Sequence, residues 1–523
     1  MNTLTYFFFT ILLLSGINCS KILGVFPLGG KSLNILYNKL MKSLADAGHD
    51  VTVISAYKNL LPIYNGTYRD VFLTGFAEDY NERILNEYKM NLDQVQESYS
   101  LFESREIHDL LASVYNKTFQ HPNVRELLGS NKQFELVIME HLWSESLLSF
   151  ASYYQCPLVI FTSMGGINPW VNDMVGNPMP ISYVPHYWMV GDFSKGLEFF
   201  QRLRNLFYYL AEVVLIQKKQ LVAQNQLIQQ AFPGKTIPTA QELYHSPSMV
   251  LLGTHSSLRQ AAPLSPNMVE IGGFHIDPPK KLPRDIQKFL DNATEGAIYF
   301  SMGSHVRSKD FSAEKKSVFV KTFKNLKIPV LWKFEENLEG MSDNVLIKKW
   351  VPQTDVLAHP NIKLFITHAG HGSTLETIHH GIPALMIPVF IDQFNNAYNS
   401  VSKGFALKLS FSNSNFNEET LTSIIEEMLK NPKYREKARE ISKLFHDRPM
   451  KPLETLVYWT EYVIRNNGAQ HLRLGSVRLS WYKFYMVDVG LFMVVICTFL
   501  IYGVVFVYKA LTPRKIDSKV KLQ

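Results

Sequence analysis

Short unbroken apolar runs recur along this chain and are separated by longer stretches in which apolar positions return at helical spacing. Ile22 to Phe26 is the first run; Pro27 to Gly30 reads as a turn, Ser32 to Ala47 as an amphipathic helix, and Val51 to Ser55 as the next strand. That opening is a βαβ unit, which implies a parallel sheet with its ligand at the carboxyl ends of the strands. Residues 57–133 turn polar and helical, Phe134 to Met139 and Leu158 to Phe161 are further buried strands, and 198–231 is a long helical region. A second series begins with Ala297 to Phe300 and continues with strands near 329–334, 345–347, 363–367 and 384–387. Helices over Glu418 to His446 close it. The fold class is therefore α/β, with two doubly wound parallel sheets. Between them, the Pro/Lys-rich stretch from His275 to Lys281 is the expected linker.

Two apolar runs stand outside this alternation. Residues 6–14 are too short to span a bilayer and lead into small and polar residues, so 1–20 reads as a signal peptide, with an uncleaved anchor as the alternative. Residues 489–508 carry no charge and are long enough to cross about 30 Å of hydrocarbon. The expected order is 21–274 and 285–450 as the two sheet domains, 451–488 as a helical return, 489–508 as a transmembrane helix and 509–523 as a cytosolic tail.

Composition changes this picture in three places. The formal charge of +7 is weighted to the tail, where Lys509, Arg514, Lys515, Lys519 and Lys521 lie, so the body is near neutral. No basic stripe interleaved with aromatics is present, which argues against nucleic acid as a partner. Of three cysteines, Cys19 and Cys497 fall in the apolar ends, leaving Cys156 alone in the body without a disulfide partner. No His or Cys spacing suits zinc, and no metal is expected. Asn65, Asn116 and Asn292 begin glycosylation sequons.

The chemistry concentrates between Trp350 and Gln393. The apolar run Leu364 to Ile366 meets Thr367-His368-Ala369-Gly370-His371-Gly372-Ser373 and then a helical pattern through Glu376, which is the order strand, glycine turn, helix. A helix starting at such a turn aims unpaired N–H groups and its positive dipole end outward, suited to phosphate oxygens. His368 can add a donor, while Ser373 and Glu376 share one helix face, a hydroxyl for phosphate and a carboxylate for ribose hydroxyls. Trp350 offers a ring for a base and Gln353 an amide; Asp392 and Gln393 follow a further strand and suit sugar hydroxyls.

This order and spacing resemble the donor signature of the UDP-glycosyltransferases, specifically the membrane-bound UDP-glucuronosyltransferases of animals. The resemblance implies a GT-B architecture: two facing Rossmann-like domains, acceptor in the first and UDP-sugar in the second, with metal-independent inverting transfer in the cleft. It adds Ser301, Gly303 and Ser304 as a second phosphate-facing loop and the tract from Pro169 to Phe193 as acceptor-pocket loops. It implies an endoplasmic reticulum membrane protein with a lumenal body, Lys519 and Lys521 fitting a KxKxx retrieval signal. Oligomerisation, with itself or with relatives, stays open. The partners expected are a UDP-sugar co-substrate, a small lipophilic acceptor and the membrane.

One position departs from the family. The catalytic histidine should follow Ser32, but Leu33 stands there, while Glu140 matches that histidine's acidic partner. Either Glu140 or His141 serves as base, or the acceptor needs little deprotonation, as an amine does, or the chain binds without turnover; a lipid acceptor is a further alternative. The stretch Val250 to Thr254 lacks the arginine of mammalian glucuronosyltransferases, which makes UDP-glucose the expected donor and UDP-glucuronate the alternative.

Overall fold

The computed structural model describes residues 19–82, 101–164, 169–212, 218–304, 306–336, 338, 340–412 and 416–512. The leader's apolar run and Lys519 and Lys521 of the tail lie outside the described residues. Among the described residues, thirteen strands form two sheets. The first holds β1 (Lys21–Phe26), β2 (Asp50–Ser55), β3 (Thr67–Phe72), β4 (Leu136–Glu140), β5 (Leu158–Thr162), β6 (Met249–Leu252) and β7 (Met268–Glu270) in the order β3-β2-β1-β4-β5-β6-β7. The second holds β8 (Ala297–Ser301), β9 (Val330–Lys333), β10 (Val345–Lys348), β11 (Ile362–Thr367), β12 (Ala384–Met386) and β13 (Ala406–Lys408) in the order β10-β9-β8-β11-β12-β13. All the pairings are parallel. Every residue of β4, β5, β6 and β8 is buried, as expected for parallel strands covered on both faces.

Strand order reverses between β1 and β4 in the first sheet and between β8 and β11 in the second. At such switch points the following loops diverge to opposite faces and leave a crevice beyond the carboxyl ends. Those four strands carry the residues singled out by sequence: Leu33 follows β1, Glu140 ends β4, Ser301 ends β8 and His368 follows β11.

Five helices matter here: α1 (Lys31–Asp46), α2 (Phe199–Ala211), α3 (His371–His380), α4 (Asp392–Ser402) and α5 (Pro452–Arg465). α1 buries Tyr37, Leu40, Met41 and Leu44 on the first sheet, and α5 lays Leu456 and Val463 into the same apolar cluster. The chain thus returns from the second sheet to the first, tied by Arg448, whose Nη1 donates to Gly272 O at 2.8 Å. Residues up to Arg473 make one compact unit; those from Leu474 make another. The latter contains α6 (Val487–Leu511), 25 residues long and apolar enough to cross a membrane, which takes in Asp488 and Lys509 that were expected to bound it.

One expectation is corrected. Within 57–133, read as helical, Thr67–Phe72 is the edge strand β3, whose exposed and half-buried residues give no apolar run. The 198–231 region is helical in its described residues, with α2 and the helix Lys218–Ala231. Asn65 and Asn292 are exposed, whereas Asn116 lies within the helix Leu101–Gln120, and Thr118 of its sequon is buried.

Candidate active site

A cavity of about 640 Å³ lies between the carboxyl ends of the two sheets. Its first-domain wall is largely apolar, with Leu28, Leu33, Leu36, Leu142, Trp143 and Trp188. Its second-domain wall carries Ser301, Gly303, Ser304, Trp350, Gln353, His368, Gly370, Gly372, Ser373, Glu376, Asp392 and Gln393. All the residues expected to hold the donor therefore share one space.

The turn from β11 into α3 is built around His368. A Cβ on Gly303 would stand 2.4 Å from its Cε1, and one on Gly370 2.4 Å from its Nε2. No side chain larger than hydrogen fits at either place, and Gly303 also has φ of +77°. Ala369 (φ +63°) and Ile391 (φ +51°) hold left-handed conformations that cost non-glycine residues about 1 kcal/mol or more, in two loops beside the cavity. Gly370 caps α3 with no side chain of its own, and the first backbone N–H groups of the helix face Asp392 and His275. Opposite, Lys333 at the end of β9 donates to Gly303 O at 2.8 Å and pairs with Glu335 at 2.7 Å, bringing a cation to the same loop.

Glu376 sits one turn into α3. Its carboxylate accepts from the Thr354 hydroxyl and the Gln353 amide. Burial raises its pKa, against the pull of these two donors. Gln353 also donates to Ser373 Oγ at 2.9 Å and accepts from the Tyr299 hydroxyl at 3.3 Å. Trp350 is 52% exposed, with Lys31 Nζ 4.0 Å from its ring centre. Gln393, expected to meet sugar hydroxyls, has its amide oxygen engaged, accepting from the backbone of Val389 at 2.8 Å and Phe390 at 3.2 Å, so it also shapes its loop. Burial pushes Asp392 up to about 6, and Asn396 donates to it at 2.7 Å.

On the acceptor side, Glu140 is 6% exposed and does not line the cavity. It accepts from Ser163, through the backbone N–H at 2.9 Å and the hydroxyl, and from the Tyr37 hydroxyl. Burial pushes its carboxyl up to about 7. His141 is buried behind the wall, its Nε2 3.3 Å from Glu145, and is not in a position to reach a ligand. In the acceptor tract, Trp188 stacks parallel to Trp143 at 6.2 Å, while Trp170 meets Trp143 edge-on at 4.5 Å. Trp143 and Trp188 reach the cavity; Trp170, Tyr183 and Tyr187 do not.

The family model for UDP-glucoronosyl and UDP-glucosyl transferase matches residues 21–521. The chain belongs to this family. It is 35% identical over 498 residues to UDP-glycosyltransferase UGT5 of Dactylopius coccus, covering 94% of this chain and 92% of that one. It is 30% identical over 483 residues to UDP-glucuronosyltransferase 2B13 of Oryctolagus cuniculus, covering 88% and 89%. Among solved structures, the glycosyltransferase VinC in complex with DTDP aligns with a TM-score of 0.53 at 15% identity, over 86% of this chain and 100% of that one. The glycotransferase of kitacinnamycin aligns at 0.55 and 14% identity, over 86% and 100%. These neighbours confirm the GT-B fold.

For a UDP-glycosyltransferase, the arrangement has residues that sequence reasoning missed. Lys333 gave no local signal beyond ending a strand. His275, assigned to the linker, lines the cavity near Gly372, and burial pushes its imidazole down to about 4. His371 donates through Nε2 to Gly253 O at 2.7 Å and so ties α3 to the end of β6. Ser163 lines the cavity as the residue after β5 and gave no sequence signal of its own.

Proposed function

We propose that this protein transfers a hexose from a UDP-sugar to a small lipophilic acceptor with inversion at the anomeric carbon. The observation that carries this is the convergence of Trp350, Gln353, His368, Ser373 and Glu376 on a cavity whose opposite wall is apolar. In this reading the uracil lies on Trp350, the ribose hydroxyls bond Glu376, and the diphosphate meets the α3 N-terminus, His368 and the Ser301–Ser304 loop. Donors fixed in advance around the leaving phosphate stabilise its growing charge without reorganising, and we assign that task to the protein and not to a metal. The acceptor lies along Leu33, Leu142 and Trp143.

Glucose is the donor sugar we favour over glucuronate. No arginine occupies Val250 to Thr254, and the cavity's lysines are Lys280 and Lys333, the second already paired with Glu335. The protein would act as a single-pass endoplasmic reticulum membrane enzyme anchored by α6. The test is incubation of the full chain in detergent micelles with UDP-glucose or UDP-glucuronate and a panel of phenols, amines and ceramides, with products read by mass spectrometry. A glucoside of a small acceptor is expected; UDP binding without product from any pair would make the chain a binder and refute transfer.

A further inference from the structure

The proposed transfer needs a group to take the acceptor's proton, and Leu33 cannot. The structure puts a hydroxyl, that of Ser163, on a residue lining the same cavity. Tyr37, one helical turn beyond Leu33 on α1, donates to one oxygen of Glu140. Ser163 donates to the other oxygen through its hydroxyl and, at 2.9 Å, its backbone N–H. Of the two residues whose hydroxyls Glu140 holds, Ser163 lines the cavity and Tyr37 does not. A serine hydroxyl that spends its hydrogen on a carboxylate keeps oxygen lone pairs free to accept.

We propose that Ser163 is a catalytic residue that relays the acceptor's proton to Glu140, in place of the absent imidazole. The acceptor O–H proton passes to Ser163 Oγ as the serine's own proton passes to Glu140. The freed electron pair on the acceptor oxygen bonds to the anomeric carbon, and the bond from that carbon to the β-phosphate oxygen breaks, its pair leaving with UDP. After UDP leaves, Glu140 returns its proton through Ser163 to water in the cavity. Burial holds the Glu140 carboxyl near 7, where it exchanges a proton readily at neutral pH. A neutral amine attacks through a lone pair it already has and does not need the relay.

This inference rests on the transferase reading, and the experiment separates the two. In the full chain in micelles, kcat/KM is measured for a phenol and for a tertiary amine, with UDP affinity measured alongside by calorimetry. Ser163→Ala is expected to lower phenol transfer about 10²-fold, within the range for general-base help, while UDP affinity and amine transfer hold within about threefold. Ser163→Thr should recover most of the loss. Adding Leu33→His to Ser163→Ala should also restore phenol transfer, since an imidazole there would stand on the cavity wall and could take the proton itself. Glu140→Gln, isosteric and uncharged, should reproduce the phenol defect and abolish any limb near pH 7 in the profile. Phenol transfer by Ser163→Ala or Glu140→Gln within about threefold of the parent would overturn the relay. A parent that binds UDP yet transfers to no hydroxyl would overturn it too, leaving the donor site intact; a parent that does not bind UDP would refute the donor reading itself.

Discussion

At the residue scale, the proposed donor site is a set of pairings in which each member limits its neighbour. The imidazole of His368 occupies space that only two glycines leave open, so Gly303→Ala should displace it as well as strain a left-handed backbone. UDP affinity should fall at least tenfold in a titration while the far-ultraviolet spectrum is unchanged. Glu376→Gln keeps the shape but loses the charge, and hydrogen bonds to a charged group are worth about 1.5–3 kcal/mol, so UDP should bind roughly tenfold to a hundredfold more weakly. Uracil alone should bind both forms equally. Most of this was legible because strand, turn and helix between Leu364 and Glu376 are contiguous. Ser163 and Lys333 were not, because each reaches the cavity from a strand end far along the chain and is recognisable only by what it meets there.

At the scale of elements, the pattern of apolar positions located the buried strands and failed where burial is reversed or absent. β3 pairs on one side only and shows its polar side chains to water. α2 turns Phe199, Phe200, Leu203, Phe207 and Leu210 outward, at 55% exposure or more, while Asn205 is buried and donates to Ile181 O at 2.7 Å and Val184 O at 2.8 Å. Its inward face is held by hydrogen bonds, and apolar spacing alone would have put it the wrong way round. α5 follows the ordinary rule: Leu456 is fully buried on the first sheet, so Leu456→Ala should cost about 2–5 kcal/mol in urea unfolding even though it follows the second sheet in sequence. Beyond α2, Glu212 is buried and accepts from the Trp170 indole, and burial pushes it up to about 7. A carboxyl raised on folding contributes stability below its unfolded pKa near 4.5, and that contribution is lost as pH rises toward 7. Glu212→Gln should therefore gain melting temperature relative to the parent between about pH 5 and pH 8, and an equal offset at both would contradict this.

At the scale of the molecule, two parallel sheets with their switch points turned to one cavity follow from the twice-repeated alternation of strands and helices. The family is legible in the sequence motif alone, because the residues proposed to hold the nucleotide are concentrated in one short segment, Trp350 to Gln393. A helical return over 451–488 was expected; what the alternation could not convey is where α5 packs on the first sheet, since contacts between distant segments leave no periodic mark. The apolar wall of the cavity was likewise dispersed over α1, the loop after β4 and the tract around Trp188. The most direct test of the whole is calorimetric titration of the full chain in micelles with UDP, beside the Glu376→Ala variant. Saturable one-to-one binding that is lost in the variant is the expected result; no heat of binding in the parent, or equal affinity in both, would contradict a uridine diphosphate site on α3.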